Sequence, residues 1–291
     1  MAVEEVSYEI RGLSAEVEFE TVSSLRRALK RLLVHPLVNY GPAGLTRALL
    51  RFGKSELAAA NWADPGGWES MVISYRQNCS QVADRLLIHA GTMPMALRNR
   101  KRLGSFLIAR LIEQARAGPV HVLCLGGGPG WVIQDALAQT RAPARATVVD
   151  LSAEALEFGR QMAARRGLAE RIRFIQANVS DLHQYLHDQA NVVKMLGLCE
   201  YLPDEQIVSV AGAVREMMLD GAPMVFNSLS RAHGTDRFFR RVFGLHMIHR
   251  SPGEVCGLMH RAGFRDFAVH PEPLGVYHVI VGRRAADAGR D

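Results

Sequence analysis

Residues 122–131 read VLCLGGGPGW. The apolar run from Val120 to Leu125 suits a strand buried on both faces. Four glycines, Gly126, Gly127, Gly128 and Gly130, follow it with Pro129 among them, and WVIQDALAQT then has helical character. A strand that turns through glycines into a helix is a place where backbone can approach a ligand closely. Gly126, Gly128 and Gly130 hold alternate positions, and without side chains they allow both the tight turn and the contact. Glycine-rich turns are common, so the loop alone does not name a ligand.

The chain around it alternates strand and helix. VHVLCLG, RATVVDLS, RIRFIQANV, NVVKMLGL and APMVFNSLS read as five strands, and FRDFAVHP and LGVYHVIVGRR as a final antiparallel edge pair. Helical patterns separate them, among them AEALEFGRQMAARRG, with Ser152 as N-cap and Gly167 at its end. Seven strands with intervening helices predict an α/β, doubly wound, mostly parallel sheet over residues 118–291. Residues 1–117 read as a mostly helical extension or lid, with a short strand or arm in VSYEIRG. Within it, ISYRQNCSQVADRLLIHAG and ALRNRKRLGSFLIARLIEQARAG read as two continuous helices.

Composition excludes several classes. Of the 291 residues, 48% are hydrophobic and 22% charged, an ordinary globular balance. No stretch approaches the ~18 apolar residues of a membrane span. The acidic start MAVEEVSYEIRG is unlike a secretory leader, so a cytoplasmic location and no membrane partner are the expectations. Cys79, Cys124, Cys199 and Cys256 are widely spaced, which argues for buried thiols over a disulfide or metal framework. The net charge of +6 gathers in RRALKR (26–31), RNRKR (98–102) and RFFRR (237–241). Such clusters can track phosphates but more often are solvated helix faces, and no nucleic-acid module accompanies them.

Asp150 ends the second of these strands, 20 residues after Gly130. A carboxylate there can accept hydrogen bonds from both hydroxyls of a ribose, or else cap the next helix. QANVSDL (176–182) sets Asn178 and Asp181 just past the third strand, where an amide could read a base edge.

In order and spacing, VLCLGGGPG, VVDLS, QANVSDL and VKMLGLCEYLPDEQ resemble the S-adenosylmethionine-binding motifs of class I methyltransferases, over about residues 118–284. A dinucleotide dehydrogenase fits less well, because Trp131 and Ile133 break the GxGxxG pattern. The resemblance implies that Gly126, Gly127, Gly128 and Gly130 face the amino-acid part of the cofactor. It implies that Asp150 binds ribose, that Leu151 packs near adenine and that Asn178 touches its edge, with Val179 also among the cofactor-binding residues. Leu196, Gly197 and Leu198 would line the pocket after the fourth strand. One departure stands out: the family usually has an acid two residues before the first glycine, and here it is Cys124. Either another acid compensates, or the cofactor's amine loses its carboxylate partner and its pKa falls in the enclosed site.

The reaction is less legible, because an activated sulfonium carbon needs alignment and exclusion of water more than a catalytic triad. Trp62, Trp68, Tyr75, Arg76 and Asn78 in the extension are candidates to face the sulfonium or position an acceptor, or to pin the extension to the sheet. Glu200 and Tyr201 could serve as base or orienter. The long connection 228–252 should carry substrate contacts; its His233, His246 and His249 lack an acid at ligand spacing, so no metal is expected. The leading expectation is methyl transfer to a small molecule in a natural-product pathway. The alternative is ring closure of S-adenosylmethionine itself to azetidine-2-carboxylate, with release of methylthioadenosine, which a neutral amine would favour. RNA methylation and a cofactor-binding subunit without activity rank behind these. A homodimer formed through the extension is left open.

Overall fold

A computed structural model describes residues 6–13, 15–115, 118–185 and 188–286. Eight strands form a single sheet: β1 (Tyr8–Ile10), β2 (Val120–Leu125), β3 (Ala144–Asp150), β4 (Ile172–Gln176), β5 (Val192–Met195), β6 (Pro223–Leu229), β7 (Phe264–Pro271) and β8 (Tyr277–Arg284). Their spatial order is β1-β7-β8-β6-β5-β2-β3-β4. All neighbours are parallel except β8, which runs antiparallel to both β6 and β7. The expected seven strands are present, and the N-terminal arm adds an eighth by pairing Tyr8 with Phe267. From β2 the chain winds outward through β3 and β4, then returns to place β5 on the other side of β2. That reversal opens a crevice at the carboxyl ends of β2 and β5, where ligands of doubly wound sheets bind.

Among the described residues twelve α-helices flank the sheet or form the extension: α1 (Ser24–Leu29), α2 (His35–Tyr40), α3 (Ala43–Phe52), α4 (Glu56–Ala63), α5 (Trp68–Arg76), α6 (Val82–Arg85), α7 (Thr92–Gln114), α8 (Trp131–Gln139), α9 (Ala153–Arg165), α10 (Asp204–Arg215), α11 (Asp236–Phe238) and α12 (Pro252–Arg261). Wider π-turns join α1 to α2 at Lys30–Val34, follow α6 at Leu86–Ala90 and follow α11 at Phe239–Phe243. Alternation along β2 sends Val120, Val122 and Cys124 to one face and Leu123 and Leu125 to the other. The first set packs with Ile133 and Leu137 of α8 and with Leu103, Leu107, Ile108 and Ile112 of α7. The second set packs with Ile207 and Val214 of α10 and Val255 and Met259 of α12. Each such buried aliphatic contributes about 1.5–3 kcal/mol by leaving water.

α7 is therefore part of the sheet's own core, although it precedes residue 118. The run RNRKR lies in the middle of this helix and is no solvated face, because Arg98, Asn99 and Arg100 are buried. Arg98 makes a two-pronged pair with Glu20, each contact 2.6 Å, and also donates to the carbonyls of Ser74 and Ile88. Asn99 exchanges hydrogen bonds with the backbone of Glu20 and donates to Glu272. The basic run thus stitches the N-terminal arm and the extension to the sheet. The expected helix over ISYRQNCSQVADRLLIHAG is instead broken. Gln77 takes a left-handed conformation (φ 57°) and ends α5, and the chain resumes at Val82.

The extension packs against the connection after β6. Leu50, Ala58, Met93 and Leu97 meet Phe238, Val242, Phe243 and Met247 in a third apolar cluster. There the Trp62 indole donates to the Val242 carbonyl (2.8 Å). Arg47 donates to the carbonyls of Val242 and Arg241. In the 237–241 cluster, Arg240 pairs with Asp236 at 2.6 Å and Arg241 holds the Asn39 carbonyl at 2.6 Å, so these cations brace the connection.

Candidate active site

One cavity lies in the crevice and a second lies beside it, the two sharing three lining residues. The first, about 270 Å³, lies against the turn after β2. Gly126 and Gly128 (both φ 51°) and Gly130 (φ 70°) adopt left-handed conformations that a side chain would strain. A Cβ on Gly126 would sit 2.5 Å from the Leu198 side chain, so this glycine is required by packing. A Cβ on Gly128 would have only the Trp68 Cβ near it, at 3.5 Å, so this glycine keeps space free. Gly130 starts α8 and faces Val148 and Phe174 of the sheet, outside the cavity lining. Fully buried Gln134 braces the turn from below, donating to the carbonyls of Pro129 and Gly159, both at 3.1 Å.

Asp150, at the tip of β3, accepts from the Gly128 N–H (2.7 Å) through one oxygen and from the Ser152 N–H (3.0 Å) through the other. The capping of α9 falls to the Ser152 hydroxyl, which accepts from the Ala155 N–H. Asp150 thus lines the cavity beside Gly126, Gly127, Gly128, Leu196, Gly197 and Leu198. Leu151 is exposed, Asn178 is exposed, and Val179 packs on the core beneath; none of the three lines the cavity.

From the extension, Trp68 and Tyr75 line the cavity. Trp68 stacks obliquely on Phe158 of α9 (5.3 Å), and Tyr75 sits edge-on to Trp131 (5.7 Å). Both aromatics therefore pin the extension to the sheet and also face the site. Trp62 lines neither cavity, and Asn78 and Arg76 lie exposed outside both.

Glu200 and Tyr201 part ways. Glu200 is buried and lines neither cavity: it accepts from Arg100 (2.7 Å) and from the Asn227 amide (3.2 Å). Asn227 in turn accepts from the Gly197 N–H (2.7 Å), so this network sets the turn after β5. Arg100 lines the first cavity with its guanidinium 4.4 Å above the Tyr277 ring. Burial opposes its charge, but Tyr277 and Glu200 outweigh that and raise its pKa. Tyr201 lines both cavities. Burial, and then the charge on Glu200, push its phenol well above the usual range. It is therefore protonated at neutral pH and can donate a hydrogen bond, which corrects its reading as a base.

Among the lining residues that escaped the sequence reading are Asp64, Arg100, Trp131 and Lys194. Lys194 had the plainest signal, a lone charge in the apolar strand VVKM, and it is buried with Nζ 3.5 Å from the Gly126 carbonyl. Cys124, its register partner on β2, is packed beneath Gly127 and does not line the cavity. Burial raises the thiol's pKa, so this position is neutral.

The second cavity, about 430 Å³, is lined mostly by apolar groups of the extension and of the connection after β6, Leu97, Phe238, Phe243 and Met247 among them. It meets the first at Gly66, Met71 and Tyr201. The long connection between β6 and α12 does reach this space, through Thr235 to Met247. Two of its three histidines form a pair: His233 and His249 share a 3.0 Å contact between Nε2 atoms. Among the described residues no group of three or more His, Cys, Asp or Glu could hold a metal ion.

The sheet order, the antiparallel β8 and the glycine turn facing an acid at the tip of β3 define a class I methyltransferase fold. Residues 122–221, about a third of the chain, match the family model described as a methyltransferase domain. Among solved structures, a possible exported protein of Bordetella parapertussis is 16% identical and superposes with a TM-score of 0.69, covering 91% of this chain and 98% of that one. The magnesium protoporphyrin IX methyltransferase of Synechocystis with bound SAH is 10% identical (TM-score 0.55; 82% and 99% covered). The mitomycin 7-O-methyltransferase is 20% identical (TM-score 0.53; 85% and 74% covered). No curated protein matches the sequence.

Proposed function

We propose that the protein transfers a methyl group from S-adenosylmethionine to a small-molecule acceptor. The observation that carries this reading is the pair of cavities. One is polar at the glycine turn, the other is apolar, and they meet at Gly66, Met71 and Tyr201. The first suits an adenosyl sulfonium. The space over Gly128 admits a ligand against backbone, and each Asp150 oxygen keeps a lone pair beyond its single N–H contact. In this reading Asp150 holds the ribose, Gly126–Gly128 lie under the amino-acid part, and Leu196 and Gly197 form the wall. Trp68, Trp131 and Tyr75 line this cavity, where a ring face would attract the cation. When bound, the cofactor supplies an activated methyl carbon. The protein's part is alignment and dryness. The apolar second cavity excludes water, the Tyr201 hydroxyl orients an acceptor heteroatom at the junction, and Glu200 fixes Arg100 in the wall. A biosynthetic role agrees with natural-product enzymes of the same fold.

A second reading, ring closure of S-adenosylmethionine to azetidine-2-carboxylate, draws on Lys194. A cation beside the turn and a neutral Cys124 below it both disfavour an ammonium there. Against it, Asp64 lines the same cavity and supplies an acid from the extension. Mass spectrometry of products separates the readings. S-adenosylhomocysteine formed only when an acceptor is added supports methyl transfer. Methylthioadenosine above the spontaneous background, formed from S-adenosylmethionine alone, would replace it with ring closure. Neither product with any acceptor would reduce the protein to a binding subunit.

A further inference from the structure

The N-terminal helices form a face that nothing among the described residues covers. From Ser24 to Tyr40, α1, the π-turn and α2 bury no side chain, and α3 buries only Leu50. A helix in a globular protein is normally stabilised by burying an apolar stripe. Here the stripe exists but points outward: Leu25, Leu29, Leu32, Leu33, Leu37 and Tyr40 recur at helical spacing, with Leu32 and Leu37 each 72% exposed. Leu45, Leu49 and Phe52 of α3 are exposed as well. An apolar face of this extent marks a binding surface.

Charge selects the occupant. Residues 21–54 contain Arg26, Arg27, Lys30, Arg31, Arg47, Arg51 and Lys54 and no Asp or Glu. A second copy packed face to face would bring Arg26, Arg27, Lys30 and Arg31 against the same cations, with no acid from residues 21–54 to oppose them. An anionic lipid surface accepts both features, taking the leucines into the acyl boundary and the cations among headgroups.

The acceptor cavity opens in the same place. Val34 and Leu86, both lining residues, are 46% and 65% exposed and mark its mouth between two π-turns. Lys30 lines that mouth with the Thr92 hydroxyl as partner (3.4 Å). From there the lining is apolar down to Tyr201.

We propose that α1–α3 dock on an anionic membrane surface and that a lipid-soluble acceptor enters the second cavity from it. The acceptor half rests on the methyl-transfer reading; the docking half does not. Docking is peripheral, since no helix among the described residues is long and apolar enough to cross a membrane. It departs from the expectation of no membrane partner, which weighed spanning segments and not exposed stripes.

The test is co-sedimentation of the full chain with vesicles of phosphatidylcholine alone or mixed with phosphatidylglycerol. Binding should appear with the anionic vesicles, weaken as salt is raised, and fall about tenfold or more in the double variant Leu32→Glu, Leu37→Glu. That variant should keep its melting temperature and its affinity for S-adenosylmethionine, because both side chains lie outside the core and the cavities. Absence of binding to anionic vesicles, or binding that the variant does not lose, overturns docking. So does light scattering that finds a dimer which the variant converts to monomer, since a second copy would then cover the face. If docking holds, methyl transfer to a lipid-soluble acceptor presented in anionic vesicles should exceed transfer in the double variant. Equal rates would overturn the entry route while leaving the methyl-transfer reading intact.

Discussion

The carboxylate of Asp150 accepts a 2.7 Å hydrogen bond from the backbone N–H of Gly128. One side chain thus joins the tip of β3 to the turn after β2, and its second oxygen holds the Ser152 N–H. Asp150→Ala should weaken S-adenosylmethionine binding by ~1–3 kcal/mol, through lost charge-assisted hydrogen bonds and a looser turn. Isothermal calorimetry measures this. Unchanged affinity would make Asp150 a structural tie only.

Gly128 makes a different prediction. A valine there would be strained at φ 51° and would project into the first cavity, with only the Trp68 Cβ nearby in the protein. Gly128→Val should abolish the rise in melting temperature that S-adenosylmethionine gives the wild type. The unliganded protein should lose about 1–3 kcal/mol from backbone strain. A ligand-induced shift that survives would place the cofactor elsewhere.

Arg100 and Glu200 form a pair at 2.7 Å with both side chains almost wholly buried. Removing one partner strands the other charge out of water. Glu200→Ala should therefore cost about 3–5 kcal/mol in urea unfolding. A loss below 1 kcal/mol, typical of solvated pairs, would show that the charge is hydrated in the folded protein.

Burial, and then His249 beside it, push His233 down to about 4 from an ordinary 6.5. Between those values the unfolded chain binds a proton that the folded one refuses, so acidification favours unfolding. His233's share of the stability should be full above pH ~6.5 and fall by about 3 kcal/mol as pH drops toward 4, and burial lowers His121, His249, His270 and His278 in the same direction. His233→Gln should make that dependence shallower. A variant with the wild-type slope would assign the proton uptake to another group.

Asp64 brings an acid from the extension into the cavity lining, while Cys124 lies under Gly127 where the methyltransferase motif usually has an acid. Asp64 is exposed, so Asp64→Asn should leave the fold intact. It should weaken S-adenosylmethionine binding by about 1 kcal/mol, the scale of a partly screened charge contact. If affinity holds and methylthioadenosine release is also seen, the Lys194-based reading gains what methyl transfer loses.

The sheet was legible because its strands are near-continuous apolar runs cut by glycines, and a buried parallel strand has few other ways to be written. The glycine turn and Asp150 were legible because backbone geometry restricts what can stand there. What escaped depends on packing between distant segments. RNRKR looks like a wetted face until Glu20 and Glu200 arrive from either side of it. Asp64 and Trp131 are ordinary turn and helix residues until the extension folds over the sheet. The break at Gln77 leaves no proline or glycine to announce it, since a non-glycine residue carries the positive φ. β1 is three exposed residues whose only strand signal is weak alternation, and its partner lies more than 250 positions away.

The most direct test of the central claim is calorimetric titration of the wild-type chain with S-adenosylmethionine and, separately, with NADH. The predicted result is saturable binding at one site per chain for S-adenosylmethionine, competed by S-adenosylhomocysteine, and no heat from NADH. No heat from S-adenosylmethionine, or saturable binding of the nicotinamide compound, would contradict the assignment of the cavity between Gly128 and Asp150.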